Sequence, residues 1–162
     1  MRWVLIVLLF ALTQVRAEDE KSVAKMLRSS DPAVREQAAE RLGKEGKRAS
    51  VKSLLPLLKD PDWGVRLAAT KAIAPISSSA GRKAMIDQLH TGEIAVIRLR
   101  TAQYLKATED RMLPPEVARR LKSAKDERRI RLIEALGILG GPSAESALAD
   151  QMKSSKVEVR MA

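Results

Sequence analysis

Apolar residues along this chain recur with a helical period and, over it, a longer one. Aligning on a Val-Arg pair places Arg35, Arg66, Arg98, Arg129 and Arg160 at steps of 31, 32, 31 and 31 residues. The residue before each is Val34, Val65, Ile97, Arg128 and Val159, so Arg128 departs from a β-branched column. Three after the arginine come Ala38, Ala69, Thr101 and Leu132, and seven after come Leu42, Ile73, Leu105 and Leu136. Positions −1, +3 and +7 share one face of an α-helix. A second stripe, which this alignment does not force, runs Val23, Leu54, Met85, Val117 and Leu148. Four residues beyond each lie Leu27, Leu58, Leu89, Leu121 and Met152. Each period therefore predicts two amphipathic helices, the second carrying the Val-Arg pair.

Punctuation agrees with that division. Asp31-Pro32 and Asp60-Pro61 read as helix N-caps with proline at the first helical position. Ser77-Ser78-Ser79, Thr91-Gly92, Pro114-Pro115 and Gly140-Gly141-Pro142 read as breaks between helices. One helical hairpin cannot bury its own apolar face, whereas stacked hairpins bury a continuous core. The prediction is an all-α fold, a right-handed α-solenoid of about 4.5 stacked hairpins. Its units fall at about 19–46, 47–78, 79–110, 111–141 and an incomplete 142–162. A four-helix bundle, the structural rival, would not need a fixed step. The incomplete last unit leads to the expectation that the array continues past Ala162.

The second helices read DPAVREQAAERLG from Asp31 and VRLAATKAIA from Val65. This resembles the HEAT-repeat family, in the short form of about 30 residues typical of phycobilisome-lyase-type repeats. The resemblance runs from about Ser22 to the end of the chain. It implies that second helices line a concave surface and that an Asp-Arg ladder ties the repeats together. The ladder would join Asp31 with Arg35 and Asp62 with Arg66; Glu93 is one residue out of step for Arg98, and Asp126 is misplaced for Arg129. An arginine four residues after a helix-starting aspartate can pair with it and bind turn carbonyls, so the column reads as structural rather than phosphate-binding. The likeness is at the level of the repeat and brings no chromophore-lyase activity with it.

The residues one, two and five after each arginine lie opposite the buried stripe. They are Glu36, Gln37 and Glu40; Leu67 and Lys71; Leu99, Arg100 and Gln103; Ile130, Arg131 and Glu134. This candidate protein-binding concave face runs from acidic through mixed to basic. Trp63 opens a helix and is expected to pack on its turn, with a binding anchor as the alternative.

Charge and composition then change the picture. Residues 1–17 hold Arg2, an apolar run from Trp3 to Leu12 and a short stretch ending Val15-Arg16-Ala17. That is the form of a secretory signal peptide, with a mature chain from Glu18 and export to the periplasm or exterior. The run is too short to span a bilayer, so no transmembrane span is expected after cleavage. Removing Arg2 and Arg16 takes the formal charge from +10 to 28 − 20 = +8. There is no cysteine, so packing and not disulfides must hold the fold.

Catalytic chemistry finds little to work with. His90 is the one histidine, no cysteine joins it, and no strand or GKS/T motif surrounds Gly140-Gly141. The expectation is a non-enzymatic chain without cofactor or metal. The basic charge is a stronger signal. RRLKSAKDERRIR, Arg119 to Arg131, includes Arg119, Arg120, Lys122, Lys125, Arg128 and Arg129 as a candidate polyanion patch. With Lys44, Lys47, Arg48 and Lys52 it is expected to form one basic edge, attracting an anionic membrane surface or polymer by counterion release. Nucleic acid fits less well, because Trp63 and Tyr104 are the aromatics beyond the signal and build no stacking platform. The sequence thus points to an exported scaffold for a protein partner, with the basic anion-binding module as the alternative.

Overall fold

The computed structural model describes residues 18–76 and 78–153, together with positions 3, 6 and 14. The signal-peptide reading of residues 1–17 and the incomplete last repeat beyond residue 153 lie largely or wholly outside the described residues. Helix α1 (18–26) is followed by α2 (Pro32–Glu45), α3 (Arg48–Leu54) and a 3-10 segment, Leu55–Lys59. Then come α4 (Trp63–Ile73), α5 (Ser79–Thr91), α6 (Ala95–Ala107), α7 (Leu113–Leu121), α8 (Asp126–Leu139) and α9 (Pro142–Met152). The described residues contain no strand. Among them no helix is long and apolar enough to cross a membrane.

Successive second helices lie side by side, α2 on α4, α4 on α6 and α6 on α8. The later three also pack on their hairpin mates, α3 with α4, α5 with α6 and α7 with α8. This is a solenoid of stacked hairpins. The predicted stripes are its core. Ala38, Ala69, Thr101 and Leu132 are 0 % exposed, and Ile73, Leu105 and Leu136 are fully buried behind them. Val23, Leu54, Met85, Leu89, Val117 and Leu121 are buried from the first-helix side. Each such leucine contributes about 1.5–3 kcal/mol. Thr101 is tolerated in an apolar column because its hydroxyl donates to the Ile97 carbonyl at 2.7 Å. The stripe loosens at α9, where Leu148 is half-buried and Met152 is exposed.

Four of the expected boundaries are corrected. Asp31 does cap α2, its Oδ1 accepting from Ala33 N at 2.8 Å with Pro32 in the first turn. Asp60-Pro61 does not start a helix; Asp62 caps α4 by accepting from Val65 N at 3.0 Å. The reason is register. Arg35 follows Asp31 by four residues but Arg66 follows Asp60 by six, so the equivalent cap is Asp62. Pro114 and Pro115 lie inside the first turn of α7 and not between helices. Their missing N–H groups would have no intrahelical acceptor there anyway. Likewise Thr91 is the last residue of α5 and Pro142 the first of α9. Pro56 acts differently: it falls where α3 would continue, and the chain tightens into the 3-10 turn.

Candidate functional site: the second-helix face and the arginine edge

Glu36, Gln37, Glu40, Lys71, Leu99, Arg100, Gln103 and Glu134 are exposed, and Leu67, Ile130 and Arg131 are half-buried. The expected turn-packing role of Trp63 is overturned, since its ring is 58 % exposed. Trp63 precedes buried Val65 by two residues, about 200° around the helix, so it faces away from the core. Trp63 and Leu67 share one face of α4, and Val96 and Leu99 share one face of α6. Because α4 and α6 pack side by side, these side chains lie on neighbouring second helices. Val96 at 55 % and Leu99 at 46 % exposure are the most open aliphatic members of this set. Sequence reading missed Val96, which the −2 position of the register would have found. The basic end of the face is less free than its letters imply. Arg131 pairs with Glu127 and reaches the His90 carbonyl at 3.3 Å. Arg100 donates to Gln103 at 3.1 Å.

The repeated arginines share a local job. Arg35 Nη1 donates to the carbonyls of Ser29 at 2.8 Å and Ser30 at 3.1 Å. Arg66 Nη1 donates to those of Asp60 and, at 2.8 Å, Pro61. Arg98 Nη1 donates to those of Gly92 at 2.9 Å and Glu93 at 3.1 Å. In each case the acceptors lie six and five residues back, in the turn that leads into the helix.

The carboxylate partners differ from the expected ladder. The carboxylates of Asp31 and Asp62 bind the backbone N–H groups of their own helix starts, and neither pairs with the arginine four residues on. Arg35 instead crosses to the next repeat, where Nε and Nη2 each meet an oxygen of Asp60 at 2.8 Å. Asp60 is 8 % exposed and also accepts from Asp62 N at 2.9 Å. The Arg35 hydrogen bond, against the opposing effect of burial, holds the Asp60 carboxyl below the usual carboxylate range. The Asp62 N–H and the charges of Arg35 and Arg66 act in the same direction. Asp60 in turn raises the Arg35 guanidinium. The residues equivalent to Asp60 in the next two repeats are Gly92 and Ser123, neither of which carries a carboxylate. Arg98 Nε is buried without a hydrogen-bond partner among the described residues. Arg129 breaks the pattern, its Nε donating to Gln151 at 2.8 Å.

The single basic edge expected from the sequence does not form. Gly43 meets Ala72 near the ends of α2 and α4, and Arg35 meets Asp60 near their starts, so these two helices run parallel. Links from first to second helix therefore share one edge, and links from second to first helix share the other. Lys44, Lys47 and Arg48 surround the α2–α3 link, while Arg119 to Arg131 surround the α7–α8 link on the opposite edge. Within the latter, Arg120 is paired with Asp87, and Arg119 stands 3.9 Å from Glu116. Lys122, Lys125 and Arg128 are exposed. No group of three or more potential metal-ligating side chains gathers among the described residues. His90 Nδ1 donates to the Ile86 carbonyl of its own helix at 3.0 Å.

Stacked two-helix units tied by turn-binding arginines define an α-solenoid repeat protein. The chain belongs to the HEAT repeats, whose family model matches residues 20–106. Among solved structures it is similar to a chain of the complex of CpcE and CpcF of phycocyanin lyase from Nostoc sp. PCC7120. The TM-score is 0.55 at 21 % identity, over 85 % of this chain and 59 % of that one. The chain thus spans about three fifths of that neighbour's length. An engineered protein is also similar, at 22 % identity and a TM-score of 0.47, over 88 % of this chain and 75 % of that one. No curated protein sequence matches this chain.

Proposed function

We propose that this HEAT-repeat protein is an exported, non-enzymatic scaffold that holds a protein partner on its second-helix face. The observation that carries the reading is the apolar set of exposed Trp63, Val96 and Leu99, with half-buried Leu67, on adjacent α4 and α6. Contiguous apolar surface rimmed by polar residues is a mark of protein contact, and exposed tryptophan is a frequent anchor. Glu36 and Glu40 flank it on α2, and Lys71 and Arg100 accompany it on α4 and α6. Export rests on the form of residues 1–17.

A photo-crosslinking residue placed at Leu99 tests the face, with one at Lys83, exposed on first helix α5, as the reference. Adducts to a discrete partner should form from position 99 and not from 83. Equal labelling from both sites, or none from 99, would sink the reading. Secreted material that begins at Glu18 supports export; material that begins at Met1 does not. The second reading, a module for an anionic membrane surface or polymer, is favoured by exposed Lys122, Lys125 and Arg128 at the α7–α8 link. Salt-sensitive retention on anionic vesicles that is lost in the Lys122→Gln/Lys125→Gln/Arg128→Gln variant would establish it.

A further inference from the structure

The arginine column contains its own template for a ligand. Arg35 spends Nη1 on two turn carbonyls and fills its Nε–Nη2 edge with the Asp60 carboxylate, both oxygens at 2.8 Å. Arg66 makes the same two carbonyl contacts, yet the position that would supply its carboxylate is Gly92. A Cβ at Gly92 would stand 2.6 Å from the Gln88 carbonyl oxygen, so that position does not readily carry a side chain. Arg66 lines an open groove between the 3-10 segment and the α5–α6 link, beside Lys52, Lys59, Leu58 and Ile94. The acidic groups around this groove are largely spoken for. Asp60 is held by Arg35 and Asp87 by Arg120, which leaves Glu93 against the three cations Lys52, Lys59 and Arg66.

We propose that this groove binds an acidic side chain of another polypeptide, an Asp or Glu next to an apolar residue. The carboxylate is taken by the Nε–Nη2 edge of Arg66 as Arg35 takes Asp60. Two parallel N–H···O bonds suit a planar carboxylate and give orientation as well as affinity. Lys52 and Lys59 add charge, and Leu58 and Ile94 supply the apolar wall. The site lies on the edge of the stack and does not depend on the second-helix face.

Nitrogen-15 spectra of the arginine Nε–H groups of the full chain test this. The probe is an acetylated, amidated peptide with the sequence of residues 55–61, LPLLKDP, which bears the carboxylate that fills Arg35. The expected result is a saturable shift at Arg66 and none at Arg35. The same peptide with Asp60→Asn should bind about tenfold more weakly. In the protein, Arg66→Lys keeps the charge but removes the fork, and should abolish discrimination between the two peptides. Lys52→Gln/Lys59→Gln touches no turn carbonyl and keeps the test open if Arg66→Lys fails to fold; it should weaken binding roughly fivefold. Leu67→Glu/Leu99→Glu should leave peptide affinity unchanged, which separates this site from the scaffold face. No saturable shift at Arg66, equal affinity for the asparagine peptide, or indifference to the lysine pair would overturn the proposal.

Discussion

The joint between α2 and α4 and the joint between α6 and α8 come from the same repeat and are bonded differently. At the first, Gly43 lets the helices approach until a Cβ there would lie 2.7 Å from Ala72 Cβ. The opposite end is clamped by Arg35 on Asp60. At the second, the residue equivalent to Gly43 is Lys106, the residue equivalent to Asp60 is Ser123, and Arg98 Nε is buried with no partner among the described residues. Both joints are filled by the same apolar stripe, so stacking does not need the clamp. One position, six residues before each arginine, decides whether neighbouring second helices are also bonded by charge through the arginine column.

The largest test of that contrast is Gly43→Val. With Ala72 Cα also only 2.8 Å from the new Cβ, the helices must separate, at about 3 kcal/mol. Urea unfolding reads it directly, and a loss under about 0.5 kcal/mol would mean that the joint yields freely. Asp60→Asn comes next and should lower Tm by several degrees near pH 7. Its pH dependence has a definite sign. The folded-state carboxyl of Asp60 is depressed, so its stabilisation is fully present above about pH 4 and is lost as pH falls through the lowered value. The Tm gap between the parent chain and Asp60→Asn should therefore be constant from pH 5 to 8 and close in acid; a gap that widened in acid would contradict the assignment. Ser123→Asp should build the missing clamp for Arg98 and add about 1 kcal/mol. An unchanged Tm would show that the free edge of Arg98 does not reach this turn. Gly137→Ala should have the smallest effect, a gain of about 0.5–1 kcal/mol. Gly137 has the register of Gly43 on α8, but no described atom lies within 4 Å of its Cβ position. A loss there as large as at Gly43 would place a further helix against α8.

Most of the fold was legible because its signals are local. The −1, +3 and +7 stripe, Asp31 with Pro32, and the glycine pair before Pro142 each act within one or two turns of the chain. The misreadings share a cause. Asp60-Pro61 copied the letters of Asp31-Pro32, but two extra residues before Val65 moved the cap to Asp62 and freed Asp60 for another repeat. Trp63 was expected to pack because large rings usually do, and its place opposite Val65 turns it outward. The basic clusters looked like one edge, yet alternate links of a hairpin stack lie on opposite edges. Of the candidate face, Leu67 and Leu99 could be found by register. The engagement of Arg131 with Glu127 and His90 could not, because His90 belongs to another hairpin.

By itself the sequence determined that this chain is helical, that its helices come in pairs, and that the pairs stack. Those outcomes follow from side-chain periodicity, capping and the need of each hairpin to bury an apolar face. The tertiary structure alone decided which carboxylate serves Arg35, that Arg66 keeps an edge unfilled by any described residue beside a groove, and which basic residues share a surface. Each of these is a contact between repeats, set by the closeness and direction of neighbouring helices, which no spacing along one repeat encodes.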